Sequence, residues 1–147
     1  MKLMNTKRSS KLIWLLPLLW TAVIFSASLQ SGQQSGALSG NITRAVLEFL
    51  SSFGIRLSFD TAHFLMRKGA HFSEYAVLGL LVSIAQRKAP LISHGALCIS
   101  LWMIVPLIDE SIQHFVSGRY GALSDSAIDL CGFLSAVLLF HLFTRRK

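Results

Sequence analysis

The amino-acid sequence predicts an all-α membrane protein: a bundle of four transmembrane helices, with an amphipathic interfacial helix between spans one and two. Of its 147 residues, 52% are hydrophobic and only 14% are charged, whereas soluble domains carry about 25% charged residues. Four apolar runs are long enough to cross a hydrocarbon core of about 30 Å. They cover residues 12–29, 70–86, 97–115 and 125–143. The length favours a single membrane domain over residues 1–147.

The first apolar run follows a short basic segment, residues 1–11. A basic start before an apolar run is also typical of a signal peptide, and Ser26-Ala27-Ser28 has the small side chains of a cleavage site. Because further apolar runs follow, we expect an uncleaved first span.

Residues 30–40 are rich in Ser, Gly and Gln, which predicts a flexible connection. The next segment has four apolar side chains on one helical face. They are Val46, Leu47, Leu50 and Phe53. The segment is too short and too charged to cross a membrane, so we expect an amphipathic helix in the interface. Asn41 or Thr43 is a candidate cap for its start, and Gly54 marks its end.

The second span is the apolar part of a longer predicted helix, which is capped by Asp60 and ends at Lys88. The third run is interrupted by Pro106. Residues 116–123 include two glycines and predict a turn, and the fourth span follows this turn.

The net charge of +7 does not predict nucleic-acid binding, because the basic side chains form no single stripe. They lie at the ends of the apolar runs. Four spans put both termini on one side, which carries nine Lys and Arg against five on the other. The positive-inside rule then places both termini in the cytoplasm. Three spans would put the basic C-terminus outside, which the same rule disfavours.

Acidic side chains on three predicted spans fall at one depth. Glu74 lies about five residues inside span two, Asp109 and Glu110 about six before the end of span three, and Asp129 about five inside span four. At a rise of 1.5 Å per residue, these carboxylates lie about 7–9 Å below the outer boundary. A carboxylate that faces lipid costs a few kcal/mol, so we expect them to face one another and the outside water.

Spacing within each helix adds further polar side chains to these acids. Lys68, His71 and Tyr75 share one face of span two. Pairs at i,i+4 spacing are neighbours on a helix. They are Asp109 with Gln113, Glu110 with His114, and Asp125 with Asp129. Basic side chains near the outer boundary are expected to supply the counter-charge. The predicted polar site comprises Arg67, Lys68, His71, Glu74, Tyr75, Asp109, Glu110, Gln113, His114, Arg119, Asp125 and Asp129.

Four segments occur in an order and a hydrophobic context that resemble the VanZ-like membrane proteins. They are Phe25-Ser26-x-Ser28-x-Gln30-Ser31, Lys68-x-x-His71-Phe72-x-Glu74-Tyr75-x-x-Leu78-Gly79, Asp109-Glu110-x-x-Gln113-x-Phe115-x-x-Gly118-Arg119 and Asp125-x-x-x-Asp129-x-x-Gly132. The resemblance covers about residues 12–143. Two positions differ from the expected family pattern. Asp129 stands where many relatives are expected to carry Asn, and Ala136 stands where a second Gly is expected. The extra carboxylate makes the site more negative.

The resemblance implies a protein of the bacterial cell envelope, located in the cytoplasmic membrane. The family's namesake is associated with low-level resistance to the glycopeptide teicoplanin, but the resemblance supplies no reaction. The expected partners are membrane lipids, with a lipid-linked cell-wall precursor or a glycopeptide as candidate ligands. No cofactor, metal or nucleic-acid partner is expected, and the sequence does not determine the oligomeric state.

Four accounts of the polar site remain open. Its ion pairs can be purely structural, since buried ionic groups can fix helix register. Arg67, Lys68 and Arg119 are suited to an anionic, phosphate-bearing ligand. His71 and Glu74 could share a divalent ion or act in acid–base catalysis, although no recognised ligand motif is present. Proton-coupled transport is the fourth account. We favour ligand binding without catalysis.

Overall fold

In the computed structural model, the described residues are 11–119 and 123–145, and they form helices without strands. This confirms the all-α prediction for that part of the chain. A 3-10 helix, Leu12–Trp14, precedes the α-helices. These are α1 (Leu15–Ser28), α2 (Gly32–Ser52), α3 (Phe59–Lys88), α4 (Gly95–Trp102), α5 (Val105–His114) and α6 (Leu123–Arg145). Part of the predicted outer turn, residues 120–122, and most of the basic terminal residues lie outside the described residues.

Two stretches of the described chain are long and apolar enough to cross a membrane. Gly95–His114 combines α4 and α5, and Leu123–Thr144 lies in α6. They coincide with predicted spans three and four. Leu12–Ser28 and Gly32–Ser52 meet the same criteria only together, with a bend of 104° between them. The predicted second span lies in α3, whose first half is too polar to qualify. The structure therefore supports two or three spans, and the four-span bundle stays a prediction.

The segment after span one is the main correction to the sequence-based expectation. The prediction of a flexible connection over residues 30–40 is wrong, because α2 already begins at Gly32. Its cap is Ser31, whose side chain accepts from the Gln34 backbone N–H while the Gln34 side chain accepts from the Ser31 N–H. This reciprocal pair is a capping box. Asn41 and Thr43 lie inside the helix and do not cap it.

The end of α3 and the break in the third apolar run are as predicted, but the predicted cap of α3 is wrong. The cap of α3 is Ser58 and not Asp60, because the Ser58 hydroxyl accepts from the Thr61 backbone N–H at 3.2 Å. Asp60 lies in the first turn, and α3 ends at Lys88 as predicted. The third apolar run breaks between α4 and α5, just before Pro106.

The packing of α3 against α6 is the most extensive helix contact in the described chain. Two glycines allow the backbones to approach closely. A Cβ atom added at Gly132 would overlap the Phe72 carbonyl, and one added at Gly79 would overlap the Phe133 carbonyl. Small residues permit such approaches between membrane helices. This contact fixes the part of α3 that carries the polar residues against the start of α6.

Candidate functional site

A pocket of about 250 Å³ lies where the end of α1, the start of α2, the first half of α3 and the end of α5 meet. Five residues of the predicted polar site line it. They are Arg67, His71, Glu74, Gln113 and Arg119. Apolar side chains also line it, among them Leu38, Ile42 and Met66. The pocket is therefore amphipathic, because its lining combines charged groups with alkyl groups.

Arg119 is positioned by the corner between α1 and α2. One guanidinium nitrogen donates to the Ser28 carbonyl at 3.3 Å, and another donates to the Ser35 hydroxyl at 2.8 Å. The remaining Nε is buried and has no hydrogen-bond partner among the described residues. Burial lowers the pKa of the Arg119 guanidinium, and the positive charge of Arg67 lowers it further. Arginine nevertheless stays protonated in proteins, so Arg119 supplies a fixed positive charge.

The turn before Arg119 is attached to the start of α2. Gly118 has φ of +73°, which favours glycine, and the Arg119 N–H donates to the Val116 carbonyl at 3.1 Å. The Gly32 N–H donates to the Ser117 carbonyl at 3.0 Å. A Cβ atom added at Gly32 would overlap the Gly118 carbonyl. Two glycines thus allow the turn to pack closely against the start of α2.

Arg67 and Glu74 are charged groups of the pocket without a side-chain partner. Within the described part of the chain, neither side chain forms an ion pair or a hydrogen bond. The Glu74 backbone is fixed, because its carbonyl accepts from the Trp20 indole N–H at 2.9 Å. Both charges are therefore available to a ligand in the pocket.

Buried polar groups lie behind the pocket. Gln113 donates to Asp109 Oδ2 at 3.0 Å and to the Ser28 hydroxyl at 3.2 Å. The Tyr75 hydroxyl and Asp109 Oδ1 are buried and have no hydrogen-bond partner among the described residues. The two hydrogen bonds that Gln113 donates restrict its orientation in the pocket wall.

Two charge contacts join α3 to α6. His71 Nδ1 lies 3.2 Å from Asp129 Oδ1, although the two groups are not aligned for a regular hydrogen bond. One turn earlier, Lys68 pairs with Asp125. A second pocket, of about 350 Å³, lies beside this pair and shares Arg67 and His71 with the first. The first half of α3 therefore has a polar pocket on each side.

Glu110 and His114 are separated from the first pocket. They line another cavity, of about 370 Å³, between α5 and α6. Consecutive helix residues point about 100° apart. Asp109 and Gln113 face α1, so Glu110 and His114 face elsewhere. The structure therefore brings together only part of the predicted set.

The described residues contain no group of three or more His, Cys, Asp or Glu side chains that could hold a metal ion. Cys98 and Cys131 are free thiols. His71 and Glu74 lie one turn apart on α3, and both line the first pocket.

The sequence analysis assigned no serine to the site, although Ser28 belongs to one of the segments that carry the family resemblance. Ser28 contacts both Gln113 and Arg119, Ser35 holds Arg119, and Ser39 lies 2.7 Å from Nε2 of His63. Ser35 and Ser39 lie one turn apart on α2. The capping box at Ser31 would have revealed this helix, and with it the serine face.

Comparison with known proteins gives one match. A sequence profile of the VanZ/LLP1 family matches residues 13–144. No curated protein and no solved structure matches the chain. The matched region includes every residue of the pocket described above.

Proposed function

This chain belongs to the VanZ/LLP1 family, and from that premise we propose that it is a bacterial cell-envelope membrane protein whose pocket binds an anionic or lipid-linked ligand. The carrying observation is the amphipathic pocket, whose lining combines Arg67 and Arg119 with apolar side chains. Arginine is suited to phosphate because its planar fork can donate two hydrogen bonds. Apolar side chains in the same lining suit the first carbons of an acyl or prenyl chain.

The proposed orientation has four spans in the cytoplasmic membrane, with both termini in the cytoplasm. The pocket then faces the outer leaflet, because its lining residues come from the predicted outer ends of the first three spans. On this topology α2 lies in the interface. It exposes apolar side chains such as Ile42 and Phe49, as expected for a helix that inserts one face among head groups.

A direct test is titration of the purified full-length protein with dioleoylphosphatidylglycerol, followed by native mass spectrometry. We expect Arg67→Gln to weaken binding about tenfold or more, because a hydrogen bond to a charged group contributes about 1.5–3 kcal/mol. Arg56→Gln is the matched control, since Arg56 is an exposed arginine in the loop before α3. Equal affinity for the wild type and Arg67→Gln would contradict the proposal.

An influence on teicoplanin susceptibility is a further part of the proposal and rests on family membership alone. The test compares susceptibility of cells expressing the wild type with cells expressing charge-reversed Arg119 or, separately, charge-reversed Asp125. Folded protein levels are measured in parallel. If both variants fold and change neither susceptibility nor lipid binding, these residues serve only the structure.

Acid–base catalysis on a lipid-linked or cell-wall precursor is the second candidate, favoured by the contact between His71 and Asp129. A carboxylate can orient an imidazole and stabilise its protonated form during proton transfer. Turnover of a lipid-linked precursor that is lost in His71→Gln, with lipid binding retained, would favour the enzyme. Retained binding without turnover in the wild type would favour the binding protein. A transport role predicts ligand-dependent proton flux in liposomes.

A further inference from the structure

We propose that the pocket selects lipid head groups that combine one phosphodiester with a neighbouring N–H or O–H donor, and that Glu74 makes this selection. This inference rests on the proposed function, because it concerns the ligand of the same pocket. It goes further because it names the chemistry of the head group and the residue that recognises it.

The charges that face the pocket are of both signs. Arg67 and Arg119 are positive and Glu74 is negative. The Asp109 carboxylate lies behind the pocket wall, where it accepts a hydrogen bond from Gln113. His71 lies 3.2 Å from Asp129. The two arginines can therefore bind one phosphodiester, whereas a diphosphate would bring a further negative charge close to Glu74.

The Glu74 carboxylate needs a donor from the ligand. It has no side-chain partner among the described residues, and the bond from Trp20 holds the backbone at this position. Phosphate oxygens can only repel this carboxylate, because like charges at short range are unfavourable. A hydroxyl or primary ammonium next to the phosphodiester would instead donate to Glu74 while the arginines bind the phosphate.

The volume of the pocket restricts the size of the group that can bind inside it. A volume of about 250 Å³ lies below the range of about 300–1,000 Å³ that is typical of sites for drug-sized ligands. This is room for a small head group and not for a whole lipid. The hydrocarbon chains must therefore lie outside, past the apolar side chains of Leu38 and Ile42.

The test compares three dioleoyl lipids with identical chains, titrated onto the purified full-length protein and quantified by native mass spectrometry. Phosphatidylethanolamine and phosphatidylcholine are both zwitterionic and differ in N–H donors. We expect the wild type to bind the ethanolamine lipid about tenfold more tightly than the choline lipid. Phosphatidylglycerol, which has hydroxyl donors, reports phosphate binding by Arg67.

Glu74→Gln should reduce the ethanolamine-to-choline preference from about tenfold to about threefold, because a charged acceptor forms a hydrogen bond about twice as strong as a neutral one. Glu48→Gln is the matched control, since Glu48 is an exposed carboxylate on α2 that lies outside the pocket, and it should keep the full preference. The wild-type ratio tests the proposal even if Glu74→Gln does not fold.

The possible failures are distinguishable. Equal binding of the ethanolamine and choline lipids by the wild type would overturn the selection by Glu74. If Arg67→Gln still weakened phosphatidylglycerol binding in that case, the proposed function would stand. A wild-type preference that survives in folded Glu74→Gln would also overturn the role of Glu74. Absence of binding for all three lipids would overturn both proposals.

Discussion

Replacing Gly132 by alanine should weaken the contact between α3 and α6 on which the polar site depends. The added Cβ atom would overlap the Phe72 carbonyl. This oxygen belongs to the helix backbone and cannot rotate away as a side chain can, so the two helices must move apart. Gly132 lies three residues after Asp129, and the movement should lengthen the contact between Asp129 and His71.

The expected magnitude follows from two opposing terms. Overpacking a tight contact costs about 1–3 kcal/mol, and alanine is favoured over glycine in a helix by about 1 kcal/mol. Gly69→Ala isolates the second term, the helix propensity, because Gly69 lies on α3 and nothing approaches its added Cβ within 4 Å. The difference in free energy of unfolding between the two variants should therefore be about 1–3 kcal/mol.

The free energy of unfolding is measured by titrating the purified protein from mild detergent into SDS and following tryptophan fluorescence. Gly69→Ala should be at least as stable as the wild type. Gly132→Ala should be less stable than Gly69→Ala. If Gly132→Ala proved as stable as Gly69→Ala, the close approach of the two backbones would be wrong, and so would the position of the polar site on α3 and α6.

Three further predictions concern charges and topology. A double-mutant cycle with Lys68→Met and Asp125→Asn should give a coupling energy of about 0.5–3 kcal/mol. If the effects of the two substitutions on the free energy of unfolding add within about 0.3 kcal/mol, the contact between Lys68 and Asp125 contributes nothing to stability. Asp129→Asn should change the free energy of unfolding by less than about 1 kcal/mol, because His71 can lose its proton when the buried carboxylate is removed. A loss of stability above about 3 kcal/mol in the same SDS titration would contradict this prediction. Ser117→Cys in a cysteine-free background should react with a membrane-impermeant thiol reagent added outside intact cells, and protection there with labelling only after lysis would reverse the proposed topology.

The helices could largely be predicted because hydrophobic periodicity and chain breakers act locally. Lys88 ends α3, and Pro106 marks the break between α4 and α5, as the sequence indicates. Composition misled the prediction for residues 30–40. Their Ser and Gly content is typical of a loop, but the capping box at Ser31 and the attachment of Gly32 to the outer turn stabilise a helix.

The candidate site could be predicted only in part, because spacing shows which residues share a helix face and not which faces meet. The i,i+4 pair of Asp109 and Gln113 is present as a hydrogen bond. The contact of Arg119 with Ser28 joins residues far apart in sequence, so no periodicity could reveal it. His114 lies on a different face of α5 from Asp109 and Gln113. Which of these faces borders the first pocket depends on where α1 packs.

The most direct test of the proposed ligand site is the identity of lipids that co-purify with the protein, determined by mass spectrometry for the wild type and for Arg67→Gln. The proposal predicts a phosphodiester lipid at about one equivalent per wild-type chain, with a marked loss in the variant. The same lipid at the same stoichiometry in both proteins would contradict a phosphate site at Arg67.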